Sequence, residues 1–221
     1  GNDTFKMVGG LTKDDEIIGG EGSDTITLDA ATITTQFAKV SGVETVAFND
    51  SGAAIAIAAN KLPSDIATLS LTLKDDVTGS DNLVSTVTGY AEGTTVKITR
   101  ADEDADVDGQ VDVTITETTD SADDTITVNV HAIGIQGDEA ADTDGDELGM
   151  GILNVGNFEN VTVNSTKSLT VTANQLMEIS AGSAKAITLT GDATTTIDTL
   201  TLNAKATSID ASAMTGGLTL A

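Results

Sequence analysis

The residues best suited to chemistry are carboxylates set among glycines. Gly19-Gly20-Glu21-Gly22-Ser23-Asp24-Thr25-Ile26-Thr27 places an aspartate after a glycine-rich stretch and before a short β-branched run. Nine residues upstream, Asp14-Asp15-Glu16-Ile17-Ile18 keeps the aspartate and apolar positions at Asp15 and Ile17, and Gly1-Asn2-Asp3-Thr4-Phe5 supplies another partial copy. Asp3, Asp15 and Asp24 thus stand 12 and 9 residues apart. Oxygen-rich sets of this kind suit hard cations such as calcium. A second set, Asp104, Asp106 and Asp108 before Gly109, has the D-x-D-x-D-G spacing in which alternate carboxylates converge on one ion. It is not an EF-hand, because the twelfth position is Ile115 where a bidentate Glu would stand. The run after it alternates like a strand, so the reading is a β-hairpin calcium loop with Asp112 as a further ligand, or else a solvated turn. Asp142, Asp144 and Asp146 form a similar third set.

Catalytic signals are weak by comparison. His131 is the only histidine, it lies in a strand-like run, and the chain has no cysteine. No carboxylate pair stands out for acid–base work. Trp is absent and Tyr occurs once, which argues against an aromatic sugar platform. The expectation is that this is not an enzyme.

Composition narrows the partners. The 221 residues carry 35 Asp plus Glu against 10 Lys plus Arg, a formal charge of −25. That excludes nucleic acid or an anionic membrane held through a basic surface. Direct membrane insertion is likewise not expected, since no apolar run approaches 18 residues. On the order of a dozen divalent ions would cancel the whole charge. Between residues 101 and 147 there are 16 acidic residues and no Lys or Arg. Yet 39% of the chain is hydrophobic, which separates it from disordered acidic sequences.

The elements that must position these groups are strands. Alternating runs rich in Thr, Val, Ile and Leu occur at Thr25–Leu28, Thr45–Phe48, Ala53–Ala58, Leu69–Leu73, Thr95–Thr99, Val111–Thr116, Thr125–Val130, Val161–Asn164, Leu169–Thr172, Ile187–Thr190, Leu200–Asn203 and Leu218–Leu220. Helical expectations are confined to Ala30–Phe37 and a turn at Asn174–Ile179. An internal repeat aligns Val43-Glu44-Thr45-Val46 with Phe158-Glu159-Asn160-Val161 at an offset of 115, and Asp24-Thr25-Ile26-Thr27 with Asp124-Thr125-Ile126-Thr127 at an offset of 100. Self-similarity of this kind points to stacked repeats. It suggests three segments: residues 1–29, a partial calcium-binding β-roll; 30–122, a first β-module with an acidic loop; and 123–221, a second β-module with an acidic insertion at 137–149. The expected fold is all-β, a parallel β-roll or β-helix continuing into β-ladder modules. Tandem antiparallel β-sandwich modules are the alternative, because both bury one face of each strand.

These residues resemble the RTX-type surface-layer proteins of Gram-negative bacteria, secreted calcium-binding proteins that build two-dimensional crystalline coats. GGEGSDTIT, residues 19–27, matches that family's nonapeptide throughout. Phrases such as Ser208-Ile209-Asp210-Ala211-Ser212-Ala213-Met214 look like its ladder segments, although they also occur in large RTX adhesins. The resemblance implies that Gly19, Gly20 and Gly22 shape a turn whose carbonyl oxygens join the Asp24 carboxylate around calcium. It also implies type I secretion, folding where calcium is abundant outside the cell, several bound calcium ions, and a lattice of identical subunits at the cell surface. Anchoring to a cell-surface polysaccharide would fall to other parts of a longer chain. The acidic segment 101–147 departs from the generic ladder. The competing reading is a stalk or spacer of a secreted RTX adhesin.

Overall fold

In the computed structural model the described residues are 1–7, 11–29, 32–33, 37, 39–49, 54–63, 65–73, 83–100, 111–117, 119, 121–134 and 149–221. They contain nineteen strands and one 3-10 turn, Ala59–Lys61, with no α-helix. One sheet has nine strands: β1 (Thr4–Met7), β3 (Thr25–Leu28), β6 (Thr45–Phe48), β8 (Thr68–Leu73), β10 (Thr95–Arg100), β12 (Thr125–His131), β14 (Asn160–Thr166), β16 (Ala186–Gly191) and β18 (Ser208–Met214), in that order. A second sheet of eight strands orders β4 (Thr32–Ile33), β7 (Ala56–Ala58), β9 (Leu83–Tyr90), β11 (Val111–Glu117), β13 (Met150–Asn154), β15 (Ala173–Ala181), β17 (Thr194–Leu202) and β19 (Leu218–Leu220). A short third sheet pairs β2 (Ile17–Ile18) with β5 (Val40–Ser41).

All sixteen strand pairings among the described residues are parallel, which excludes the antiparallel sandwich. From β3 onward the chain alternates between the two large sheets, so each return to a sheet adds a strand running in the same direction. This is a parallel β-solenoid. The rung length varies: Thr4 pairs with Thr25 and Thr25 with Thr45, then Thr45 with Thr68, Thr68 with Thr95, Thr95 with Thr127 and Thr127 with Thr162, and finally Thr162 with Thr188. Steps of 20 to 23 residues thus widen to 27, 32 and 35 and narrow again to 26. The acidic segments fall in the wide rungs.

The eight threonines just named form one outward row across the nine-stranded sheet. β-Branched side chains stacked in register suit a half-exposed pleated surface. One residue along, the inward row Phe5, Ile26, Val46, Leu69, Val96 and Val128 is also in register. From the opposite sheet Ile33, Ile57, Val87 and Ile115 stack in the same way, and both sets belong to a single apolar core. The period-2 pattern is therefore read twice, along each strand and up the stack.

Three local expectations fail. Leu169–Thr172 is not a strand: Leu169 is fully exposed in a turn where Ser168 Oγ accepts the N–H groups of Thr170 and Val171. That hydroxyl offers the backbone a local partner in place of a ladder. Asn174–Ile179 is not a helical turn but part of β15. Leu176 and Ile179 are both buried there because two half-buried residues between them switch the inward phase of the strand. Within the stretch Ala30–Phe37, Thr32–Ile33 is a strand, so that helix also fails at its described residues.

Tyr90, at the end of β9, packs edge-on against Phe158 with ring centroids 5.4 Å apart and donates its hydroxyl proton to the Thr94 carbonyl. Burial pushes its phenol up to about 12, and Glu92 adds to the rise. The fold therefore favours the neutral phenol, and stability is fully present below pH 10 and declines as pH rises through about 12. Because this is the chain's single tyrosine, alkaline absorbance titration reads it cleanly: tyrosinate is expected to appear well above the range of free tyrosine, and together with unfolding.

Candidate functional site

The residue just before each strand of the nine-stranded sheet occupies one corner of the solenoid. At the start of the stack that corner is a column of carboxylates, Asp3, Asp24 and Glu44. Each of the latter two reaches back one rung: Asp24 Oδ1 accepts the Asp3 N–H at 2.6 Å, and Glu44 Oε2 accepts the Asp24 N–H at 2.7 Å. The backbone repeats the contact, with Thr25 N–H donating to the Asp3 carbonyl and Thr45 N–H to that of Asp24. Four rungs on, the corner recurs, with Glu159 Oε2 accepting the Asp124 N–H at 3.2 Å. The repeats at offsets 100 and 115 therefore mark the same corner. There Lys185 follows, its Nζ bonded to the Ala122 carbonyl and 3.5 Å from Asp123.

Asp24 is fully buried, and its Oδ2 has no hydrogen-bond partner among the described residues. A charged oxygen buried in this way is costly unless something positive meets it. The turn around it is shaped by glycine. A Cβ on Gly19 would fall 1.8 Å from the Gly42 carbonyl oxygen and 2.7 Å from Asp24 Oδ2. Only hydrogen lets these two oxygens crowd the same side of the backbone. Gly22 has φ +139 and a Cβ there would lie 2.1 Å from the Gly1 carbonyl, while Gly20 is also left-handed at φ +94. Ser23 N–H donates to Asn2 Oδ1 and Gly42 N–H to Asp65 Oδ2, tying successive rungs around the turn.

The other candidates are placed elsewhere. Asp15 lies in the loop before β2, away from the column, where its Oδ2 accepts the Thr12 N–H and hydroxyl. The Thr12 backbone bond holds its carboxyl below the usual range, helped by the Thr12 hydroxyl. Asp3 and Asp24 are successive rungs, whereas Asp15 belongs to a different side of the coil. Asp112 lies on β11, and its Oδ1 accepts the Ile152 N–H at 2.7 Å where β13 has left the ladder. Asp104, Asp106, Asp108, Asp142, Asp144 and Asp146 lie outside the described residues. Among the described residues no three His, Cys, Asp or Glu side chains converge on one point. The oxygens around Asp24 are largely backbone, so side-chain type alone does not reveal the set. Glu44, Asp65 and the Gly42 carbonyl were missed as site residues, although the offset-115 repeat singles out Glu44.

His131 faces outward from β12, with Nδ1 2.8 Å from the Thr166 hydroxyl. Partial burial lowers its pKa, and Lys97 nearby lowers it further. No helix among the described residues is long and apolar enough to cross a membrane.

The fold and corner define the class: a two-sheet parallel β-solenoid whose rungs are joined by carboxylates. No protein-family model, curated protein or solved structure matches the chain.

Proposed function

We propose that this chain is a structural segment of a calcium-dependent surface layer outside the cell, built from identical subunits, and not an enzyme. The observation that carries this reading is the buried, unpartnered Oδ2 of Asp24 beside the glycine turn. Asp24 and the Gly42 carbonyl would hold the ion, and Gly19 lets both oxygens approach the same side of the backbone. Calcium suits such a set because it takes several oxygens, carbonyls included, in flexible geometry. Bound there, it supplies the positive charge the buried carboxylate requires and fastens the first rungs together. Elsewhere it would screen the carboxylates of a chain with charge −25, so that acidic copies approach one another. Secretion of an unfolded chain fits the lack of cysteine, since no disulfide has to form first.

Calcium titration tests it, with far-UV circular dichroism and light scattering, magnesium as the control and EGTA for reversal. The expected result is a calcium-specific gain of β-structure followed by scattering that resolves into ordered sheets under the electron microscope. Folding without association would favour an RTX adhesin spacer, which the uninterrupted stack of rungs also suits. Equal folding and stability in EGTA would remove the ion from the account.

A further inference from the structure

The two large sheets differ in charge. In a chain with 35 acidic residues, none falls within the first eight strands of the nine-stranded sheet, β1 to β16 in its order. On their outward positions those strands instead carry Lys6 and Lys97, while Arg100, in register with buried Leu73, lies on the inward side and donates to the Gly149 carbonyl. The eight-stranded sheet is the reverse. Its strands hold Asp112, Glu117, Glu178 and Asp198 and not one Lys or Arg. Asp112, Glu178 and Asp198 are half-buried at strand positions that alternate with the core. The two outer faces point away from each other, because both sheets contribute their inner faces to one core.

We infer that the outer face of the nine-stranded sheet docks on the outer face of the eight-stranded sheet of a second copy, front to back. This names the contact surface for the self-assembly proposed above and rests on that reading. Charge selects the partner: front to front would oppose Lys97 to Lys97, and back to back would oppose carboxylates to carboxylates, whereas front to back pairs opposite signs. The surface is also prepared for close contact. The threonine row from Thr4 to Thr188 is in register, and beside it Thr166 bonds Asn129 and Thr190 bonds Asn164 across neighbouring strands. Side chains already held by such bonds lose little freedom on docking. Stacked identical residues at strand spacing are the kind of sheet surface that packs tightly against another sheet. Nine strands at about 4.8 Å and four to five residues at about 3.3 Å give a rectangle of roughly 43 by 15 Å, or about 650 Å². That approaches the roughly 800 Å² each partner gives to a standard interface. A front-to-back contact is heterologous and leaves one free face of each kind at the ends, so it propagates instead of closing.

The absence of native cysteine makes the test direct. Thr127→Cys marks the front and Thr114→Cys the back, both on the outward side of their strands. The two full-length variants are mixed in calcium and bridged with a flexible bis-maleimide long enough to tolerate a slip of a rung or two. Mixed 127–114 dimers are expected to exceed either like-with-like dimer by about tenfold or more, and Lys97→Glu is expected to abolish the excess. Dominant 127–127 or 114–114 products would overturn the front-to-back contact. So would ordered assembly with both cysteines unbridged, which would leave the self-assembly reading intact and give these faces to another occupant such as polysaccharide. A chain that sediments as a monomer in calcium removes both the contact and the self-assembly it rests on.

Discussion

Replacing Phe158 with alanine is expected to lower the unfolding free energy by about 3–5 kcal/mol, the range for emptying a fully buried phenylalanine site. Phe158 has no exposed surface and sits in the turn just before β14, with Glu159 of the corner column next in sequence. Its ring meets the edge of Tyr90, so the substitution also removes an aromatic pair worth about 0.5–1.5 kcal/mol. The neighbours are backbone turns and strands fixed by ladders, which cannot easily collapse into the void. Urea unfolding followed by far-UV circular dichroism measures the loss, and the Tyr90 signal reports whether the pocket around the ring has opened. In a linear stack each rung touches only its neighbours, so the weakened rungs are expected to separate first and broaden the transition. Leu169→Ala is the matched control: its side chain is fully exposed, and the change is expected to stay within about ±0.5 kcal/mol. A Phe158→Ala protein as stable as that control would mean the ring is not part of the packed core.

The strands themselves were legible because each carries its own period. Thr25–Leu28, Thr45–Phe48 and Leu218–Leu220 begin and end where their alternation does. The parallel direction was legible from the repeat and the nonapeptide resemblance, not from the strands themselves. An alternating strand with one wet face looks the same in a hairpin and in a coil, and only the return of the chain to the same sheet after one or two intervening strands decides for parallel pairing. Rung length hid most of the repeat as well: rungs of 20 to 35 residues give no fixed offset, so only the agreements at 100 and 115 survived, each spanning four rungs. β9 and β13 escaped notice because each follows an acidic stretch that masks its start, and β15 because its inward side switches partway along.

The candidate site was half legible for a related reason. Gly19 and Asp24 announce themselves through spacing, but what faces them comes from the next rung, the carbonyl of Gly42 and the carboxylate of Glu44, some twenty residues away. Nothing local marks a backbone carbonyl as part of a site. Asp15 illustrates the opposite error. Its spacing of nine from Asp24 suggested one stacked series, yet nine residues is under half a rung here, and its side chain closes a turn with Thr12.

Substitutions at Asp24 separate the two jobs assigned to that side chain, and the expected outcome is a change of sign. Asp24→Asn keeps an oxygen to accept the Asp3 N–H but replaces the unpartnered Oδ2 with an amide NH2. That group can donate toward the Gly42 carbonyl, which crowds the same side of Gly19. In EGTA the variant is therefore expected to match or exceed the native chain, since a buried charge without a partner has been removed. In calcium the native chain gains stability by mass action, about 2.7 kcal/mol when free calcium is a hundred times its dissociation constant, and the variant does not. Asp24→Ala loses both functions: it strands the Asp3 N–H, at about 1–3 kcal/mol in EGTA, and forfeits the calcium gain as well. Paired denaturant curves with and without calcium on the three proteins give every term. If Asp24→Asn costs the same in both conditions, Oδ2 meets no cation and the corner is a hydrogen-bonded joint like that of Asp124 and Glu159. If the order reverses with calcium as expected, the glycine turn is where the ion enters the fold.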